Sequence, residues 1–278
     1  MRRLFFDGDG QVRNGWKIAG CIFLTIAFAA ALIILRRLLP REARLLMPEP
    51  LLAFFGGLIA AWLCLRLERA PLASIGLTLD RRFGREFGLG IAGGAILLGI
   101  LALVVWLCGG FQLAPSPTDT VAFLSKGAVT FFAIAASEEI VFRGYPFQRA
   151  IRGMGPAGAQ FLFAVLFAAA HLPNPGMSGV TLALAMLSIF LASLMLGYLY
   201  IRTRSLALPI GAHMGWNWAQ ATLGFAGSGN EQKGLWHPVY QGKPEWLTGG
   251  DFGLEASVLC IVLLGIVVLG LGRWRNAP

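Results

Sequence analysis

Three short stretches of this sequence carry side chains suited to acid–base chemistry. They are Glu138-Glu139-Ile140-Val141-Phe142-Arg143, Phe167-Ala168-Ala169-Ala170-His171 and His213-Met214-Gly215-Trp216-Asn217. Each lies in an apolar run, where an ionisable group is costly to bury and therefore points to function. Successive residues of a helix point about 100° apart, so Glu138 and Glu139 cannot both face one site squarely. Arg143 follows Glu139 by four residues, the favourable order for a helical ion pair, which leaves Glu138 as the free acid. The same spacing puts Phe167 with His171, and His213 with Asn217, on shared faces. A desolvated carboxylate is a stronger base toward water than a solvated one. Glu138, His171 and His213 are also the ligand types of a catalytic zinc site with water in the fourth position. No His-Glu-x-x-His helix is present, so zinc and metal-free catalysis are both open.

The elements that position these groups follow from composition. The chain has 278 residues, 56% of them hydrophobic, with 23 Lys and Arg against 14 Asp and Glu. A soluble domain would carry about a quarter charged residues, and a disordered chain would lack this much apolar surface. The net charge of +9 is scattered between long apolar runs, not gathered into a nucleic-acid-binding face. Cys21, Cys64, Cys108 and Cys260 all lie inside apolar runs without a Cys-x-x-Cys pair, so they read as packing residues.

The fold class is therefore all-α: a polytopic integral membrane protein with about eight transmembrane helices around an intramembrane catalytic cavity, in a single membrane domain of residues 1–278. At about 20 apolar residues per span, the candidates are 18–35, 47–65, 87–107, 121–142, 156–171, 178–201, 206–225 and 252–271. The first is read as a retained span and not a cleaved signal peptide, because its apolar run is long and ends in Arg36 and Arg37. Under eight spans, 16 of the Lys and Arg fall on the side of the termini and 7 on the other. That places both termini in the cytoplasm of a bacterial plasma membrane. The four arginines of the first loop run against this count.

The hairpin between the fourth and fifth spans turns near Met154, which sets Glu138 and His171 at one level, about 25 Å along antiparallel neighbours from the turn. Arg149 and Arg152 are expected to protrude at its tip. Counting inward from Gln148 puts Glu138 roughly 15 Å deep, and His213 comes out roughly 12 Å deep from Ser205. All three are expected in one cavity toward the cytoplasmic half. The loop 227–251 carries Trp236, Tyr240 and Trp246, aromatics suited to the headgroup level. Its His237 has no polar partner in sequence and reads as solvated.

Taken in order on successive spans, the three motifs resemble those of the CPBP family of intramembrane endopeptidases, which includes type II CAAX prenyl proteases of the Ras-converting-enzyme type and bacteriocin-processing relatives. The resemblance covers about residues 126–220, within a motif-bearing core of about 120–226. It implies that Glu138, assisted by His171, activates the attacking water, that His213 and Asn217 stabilise the oxyanion, and that Glu139 and Arg143 hold the helix, with Phe167 in support. Preset donors at an oxyanion are usually the largest catalytic term. The family has been described both as metalloproteases and as metal-independent glutamate proteases. The implied partners are the lipid bilayer and a peptide or protein substrate at the membrane, prenylated or secreted, with no nucleic acid.

Two other readings compete. Gly176-Met177-Ser178-Gly179 fits a Gly-x-Ser-Gly pattern, so a rhomboid-like serine protease would pair Ser178 with His213. Ser and Gly are also the residues expected where a loop enters a helix, and this reading leaves Glu138 and His171 without a role. A transporter or scaffold would use the buried acids as a proton relay or packing pair, but no inverted repeat stands out.

Overall fold

The structure, a computed structural model, describes residues 2–6, 8–45 and 47–273. Arg275, counted above among the basic residues at the C-terminus, lies outside them. Eight long helices carry the fold: α1 (Asn14–Arg37), α2 (Glu49–Leu67), α3 (Arg81–Leu107), α4 (Thr120–Arg143), α5 (Tyr145–Ala170), α6 (Gly179–Thr203), α7 (Ala207–Thr222) and α8 (Val258–Arg273). The all-α class read from composition is what the chain adopts, and the protein is an integral membrane protein. Five helical stretches among the described residues are long and apolar enough to cross a bilayer. One of these, Thr120–Ala170, joins α4 and α5. The outer faces present Phe23, Ile26, Ile96, Phe161 and Ile266, large apolar side chains left exposed by the fold and suited to lipid contact.

Several boundaries differ from the sequence reading. Helix α3 starts six residues before the expected 87, because the Asp80 carboxylate accepts from the Phe83 amide at 2.7 Å and caps an earlier turn. Helix α5 begins at Tyr145, not 156, since the chain is helical on both sides of Gly155. Gly155 itself sits at φ 78°, ψ 167°, and Pro156 follows, so the reversal falls where the turn residues placed it. Helix α8 starts at Val258 instead of 252, because Gly253 at φ 99° separates two short 3₁₀ turns, Gly250–Phe252 and Leu254–Ala256. The loop after α7 contributes β2 (Trp236–Tyr240), which pairs antiparallel with β1 (Phe111–Pro115) in a two-stranded sheet that the sequence reading did not anticipate. His237 lies on β2 with Nδ1 at 3.4 Å from the Ser116 hydroxyl, so it has a partner after all.

The hairpin tip also departs from expectation. Arg149 is buried, not protruding: its Nη2 lies 2.8 Å from Glu68 Oε2, and the guanidinium stacks 4.6 Å from the Tyr145 ring. Glu68 also meets Lys17 at 3.1 Å and accepts from the Tyr145 hydroxyl at 2.7 Å. Burial alone would raise the Glu68 carboxyl, but these neighbours hold it below its usual value. The cluster ties α1, α2 and the tip together, while Arg152 stays exposed. Cys21, Cys64 and Cys260 are buried as packing residues, but Cys108, the residue that ends α3, is exposed.

The closest helix pair is α3 against α7. Gly90 and Gly94 of α3 face Gly211 and Gly215 of α7, and both pairs have the four-residue spacing that lets membrane helices touch along their backbones. A Cβ at Gly94 would overlap the Ala212 carbonyl oxygen, and one at Gly215 would overlap that of Ile91. His213 lies between the two glycines of α7, so this contact fixes its height and facing. Gly94→Val is expected to abolish folding or lower the thermal midpoint in detergent sharply. Gly93→Ala, where nothing stands within 4 Å of the new Cβ, should leave the midpoint within a few degrees.

Candidate active site

Helix α4 delivers both carboxylates. Its start is capped by Asp119, which accepts from the Ala122 amide at 2.9 Å, and its end breaks at Gly144, where a Cβ would collide with the Ile140 carbonyl oxygen. Glu139 is fully buried, and its Oε1 lies 3.0 Å from Arg143 Nη1. Arg143 is equally buried and spends its other end, Nη2, on the Ser193 backbone oxygen at 3.0 Å and hydroxyl at 2.7 Å. Taking two such ions out of water costs several kcal/mol each unless their remaining donors and acceptors find partners. The guanidinium finds them on α6, and its face also lies 4.7 Å from the Phe167 ring.

Glu139 Oε1 has a second partner, His213 Nδ1 at 3.0 Å. A carboxylate oxygen can only accept, so Nδ1 carries the proton and donates. The imidazole is thereby turned so that Nε2 faces Glu138, whose Oε2 lies 3.8 Å away. One histidine therefore stands between the two adjacent acids, with a nitrogen toward each. The 100° separation expected between their side chains is what lets them approach the ring from two sides.

His171, just past the last residue of α5, is oriented by its own helix. Its Nδ1 lies 2.8 Å from the Phe167 carbonyl oxygen, which fixes that nitrogen as the donor and leaves Nε2 as a free acceptor. The Phe167 ring sits 4.7 Å from the His171 ring and edge-on to His213 at 6.2 Å. Phe167 thus packs against both imidazoles and the Arg143 guanidinium at once.

Glu138, His171, His213 and Asn217 all line one cavity of about 470 Å³, along with Asn174, Ser228, Asn230 and Gln232. Glu138 is the accessible carboxylate, with 30% of its side chain exposed where Glu139 has none. A smaller apolar pocket of about 60 Å³ continues beneath His171, His213 and Asn217 to Met195, Leu196 and Leu264. Among the described residues, no three His, Cys, Asp or Glu side chains converge as a metal-binding group. Glu138, His171 and His213 are thus not gathered around one point, although the Nδ1 contacts of His213 with Glu139 and of His171 with the Phe167 carbonyl oxygen leave Nε2 of each ring as the nitrogen available to a ligand. Ser178 is the residue before the first turn of α6, exposed and absent from the lining of both pockets, so it forms no pair with His213.

Other residues at the site escaped the sequence reading. Ser193 was hidden because its role depends on which face of α6 meets α4. Glu255 falls inside the expected eighth span, yet it sits in a 3₁₀ turn at the wall of the smaller pocket. It accepts from Trp216 Nε1 at 3.1 Å and from the Ser228 amide and hydroxyl at 2.7 and 2.8 Å. Asn174 donates to the Ser228 carbonyl oxygen at 2.9 Å. An acid three residues before the start of a long apolar run was the available signal.

Comparison with known proteins agrees with the motifs. Residues 120–219 match the family model described as Rce1-like, type II CAAX prenyl endopeptidase. The match contains the three motifs and all of α4 through most of α7, so the resemblance read from the sequence holds over that stretch. No curated protein matches the chain in sequence.

Two substitutions test the buried lock. Arg143→Ala strands Glu139 without its cation and should cost about 3–5 kcal/mol of stability. Ser193→Ala removes one donor–acceptor partner of the guanidinium and should cost about 1–3 kcal/mol. Unfolding in detergent, followed by the same spectroscopic signal for both, gives the order.

Proposed function

We propose that the protein is an intramembrane endopeptidase that hydrolyses peptide bonds of a polypeptide held at the membrane, with Glu138 as the general base. The observation that carries the reading is the juxtaposition of one accessible carboxylate, two imidazoles each anchored through Nδ1 and one amide around a single cavity. Glu138 takes a proton from water as its oxygen attacks the scissile carbonyl carbon, and the His171 Nε2 acceptor helps orient that water. The carbonyl oxygen becomes an oxyanion that the Asn217 amide and protonated His213 Nε2 stabilise. Collapse of the tetrahedral species breaks the C–N bond, and Glu138 returns its proton to the leaving amine. Glu139 keeps His213 aimed, while Arg143 balances the charge of Glu139.

The site lies in a bacterial plasma membrane with both termini on the cytoplasmic side, in accord with the excess of Lys and Arg at that end. Preset donors of this kind act strongly because they need no reorganisation at the moment of reaction. Glu138→Gln keeps the shape of the side chain but removes the base, and should lower the turnover of a cleaved peptide by about 10²–10⁴-fold. Its thermal midpoint should stay near that of the wild type, because Glu138 holds no buried ion pair with Arg143 at close range. Ser178→Ala should cleave at the wild-type rate. Wild-type turnover by Glu138→Gln, or loss of turnover in Ser178→Ala, would remove this mechanism.

A further inference from the structure

The catalytic cavity is closed at one end of the molecule and polar at the other. The first end is marked by contacts among Lys17, Glu68 and Arg149, by Arg82 donating to the Thr203 carbonyl oxygen at 2.8 Å, and by the Leu206 amide on Gly76. It holds Arg13, Lys17, Arg66, Arg69, Arg81, Arg82, Arg85, Arg152, Arg202 and Arg204, ten of the 23 basic residues, besides Arg149. Between that end and Glu138, the rings of Phe142, Phe147, Phe163, Phe167 and Tyr200 pack edge to face and plug the bundle.

Toward the opposite end, α7 and the returning limb of α5 stop short. Helix α7 has 16 residues, about 24 Å, and the limb of α5 from Pro156 to Ala170 is roughly 22 Å, against a hydrocarbon thickness of about 30 Å. Non-helical backbone replaces them: residues 172–178 after α5 and 223–235 after α7. The two segments meet where Asn174 holds Ser228, and they reach the far-end loops where Gly229 donates to Phe252, Thr118 to Gly234, and Ser116 to Leu235. Irregular backbone survives at membrane depth only where protein covers it or where it lines a water-filled cavity. Here Asn174, Gly227, Ser228, Asn230 and Gln232 form the wall of the cavity that contains Glu138. Asn230 and Gln232 are shared with a second opening of about 700 Å³, lined by Glu231, Tyr240 and Asp251, and Asn230 and Asp251 are exposed.

We infer that the site is entered from the extracytoplasmic face, so that the polypeptide cleaved is an exported chain or an outward-facing segment of a membrane protein. The inference rests on the peptidase reading for its substrate and on positive-inside orientation for its side. A cytoplasmic chain end would meet the basic, aromatic-plugged end instead.

Thiol accessibility tests it. In a background with Cys108→Ser, which removes the exposed natural thiol, Asn230→Cys and Gln232→Cys mark the cavity mouth and Arg152→Cys marks the hairpin tip. A membrane-impermeant maleimide applied to intact bacterial cells producing each variant should label both mouth positions at least tenfold more than Arg152→Cys. Permeabilising the cells should bring Arg152→Cys to the same level. Labelling of Arg152→Cys in intact cells, or of the mouth positions only after permeabilisation, overturns the inference. Two mouth positions guard against one variant misfolding. Labelling needs no catalysis, so an inactive protein would count against the peptidase reading and still report the side from which the cavity opens.

Discussion

Glu139 is a fully buried carboxylate with one oxygen shared by Arg143 and His213 and the other without a hydrogen-bond partner among the described residues, and much of the structure follows from neutralising its charge. An isolated charge in a membrane interior is far too costly to persist, so the guanidinium must be present on the same helix face. That cation in turn needs further acceptors, which sets the rotation of α6 through Ser193. His213 must then reach Glu139 from α7, which requires α7 to lie at one height against α3. The glycines of that pair permit the height, and the ion network uses it.

The same arrangement separates two adjacent acids of identical type by environment alone. Glu139 is sealed among helices and committed to ion pairing, whereas Glu138 opens to the cavity and stands at 3.8 Å from the other nitrogen of His213. Neighbouring residues on a helix diverge by about 100°. That divergence seals one acid among helices and opens the next to the cavity, and it places the histidine between them.

The chemistry-bearing residues were legible because their relations are local. The four-residue spacings of Glu139 with Arg143, Phe167 with His171, and His213 with Asn217 are properties of a single helix, and the hairpin length set Glu138 and His171 at one level. Relations across helices were not legible. Arg149 reads as a tip residue in sequence, yet it is buried against Glu68, 81 positions earlier. Ser193 gives no sign of its tie to Arg143 until α6 is docked. Glu255 was hidden inside an apolar window, because the hydropathy of 252–271 does not register the turn that Gly253 imposes. The pairing of β1 with β2 joins segments more than 120 residues apart, and neither has the length or alternation to announce itself.

The short reach of α7 and of the returning limb of α5 gives the cavity its polar wall, so the helix lengths matter to function as much as the motif does. The account as a whole stands on the buried carboxylate, and Glu139→Gln probes it most directly. Glutamine has the same shape but carries no charge to neutralise Arg143 or to hold His213 in place. Thermal unfolding in detergent should show a midpoint well below that of the wild type, together with loss of peptide cleavage in protein that remains folded. An unchanged midpoint with full cleavage would contradict the claim that this one carboxylate holds the site together.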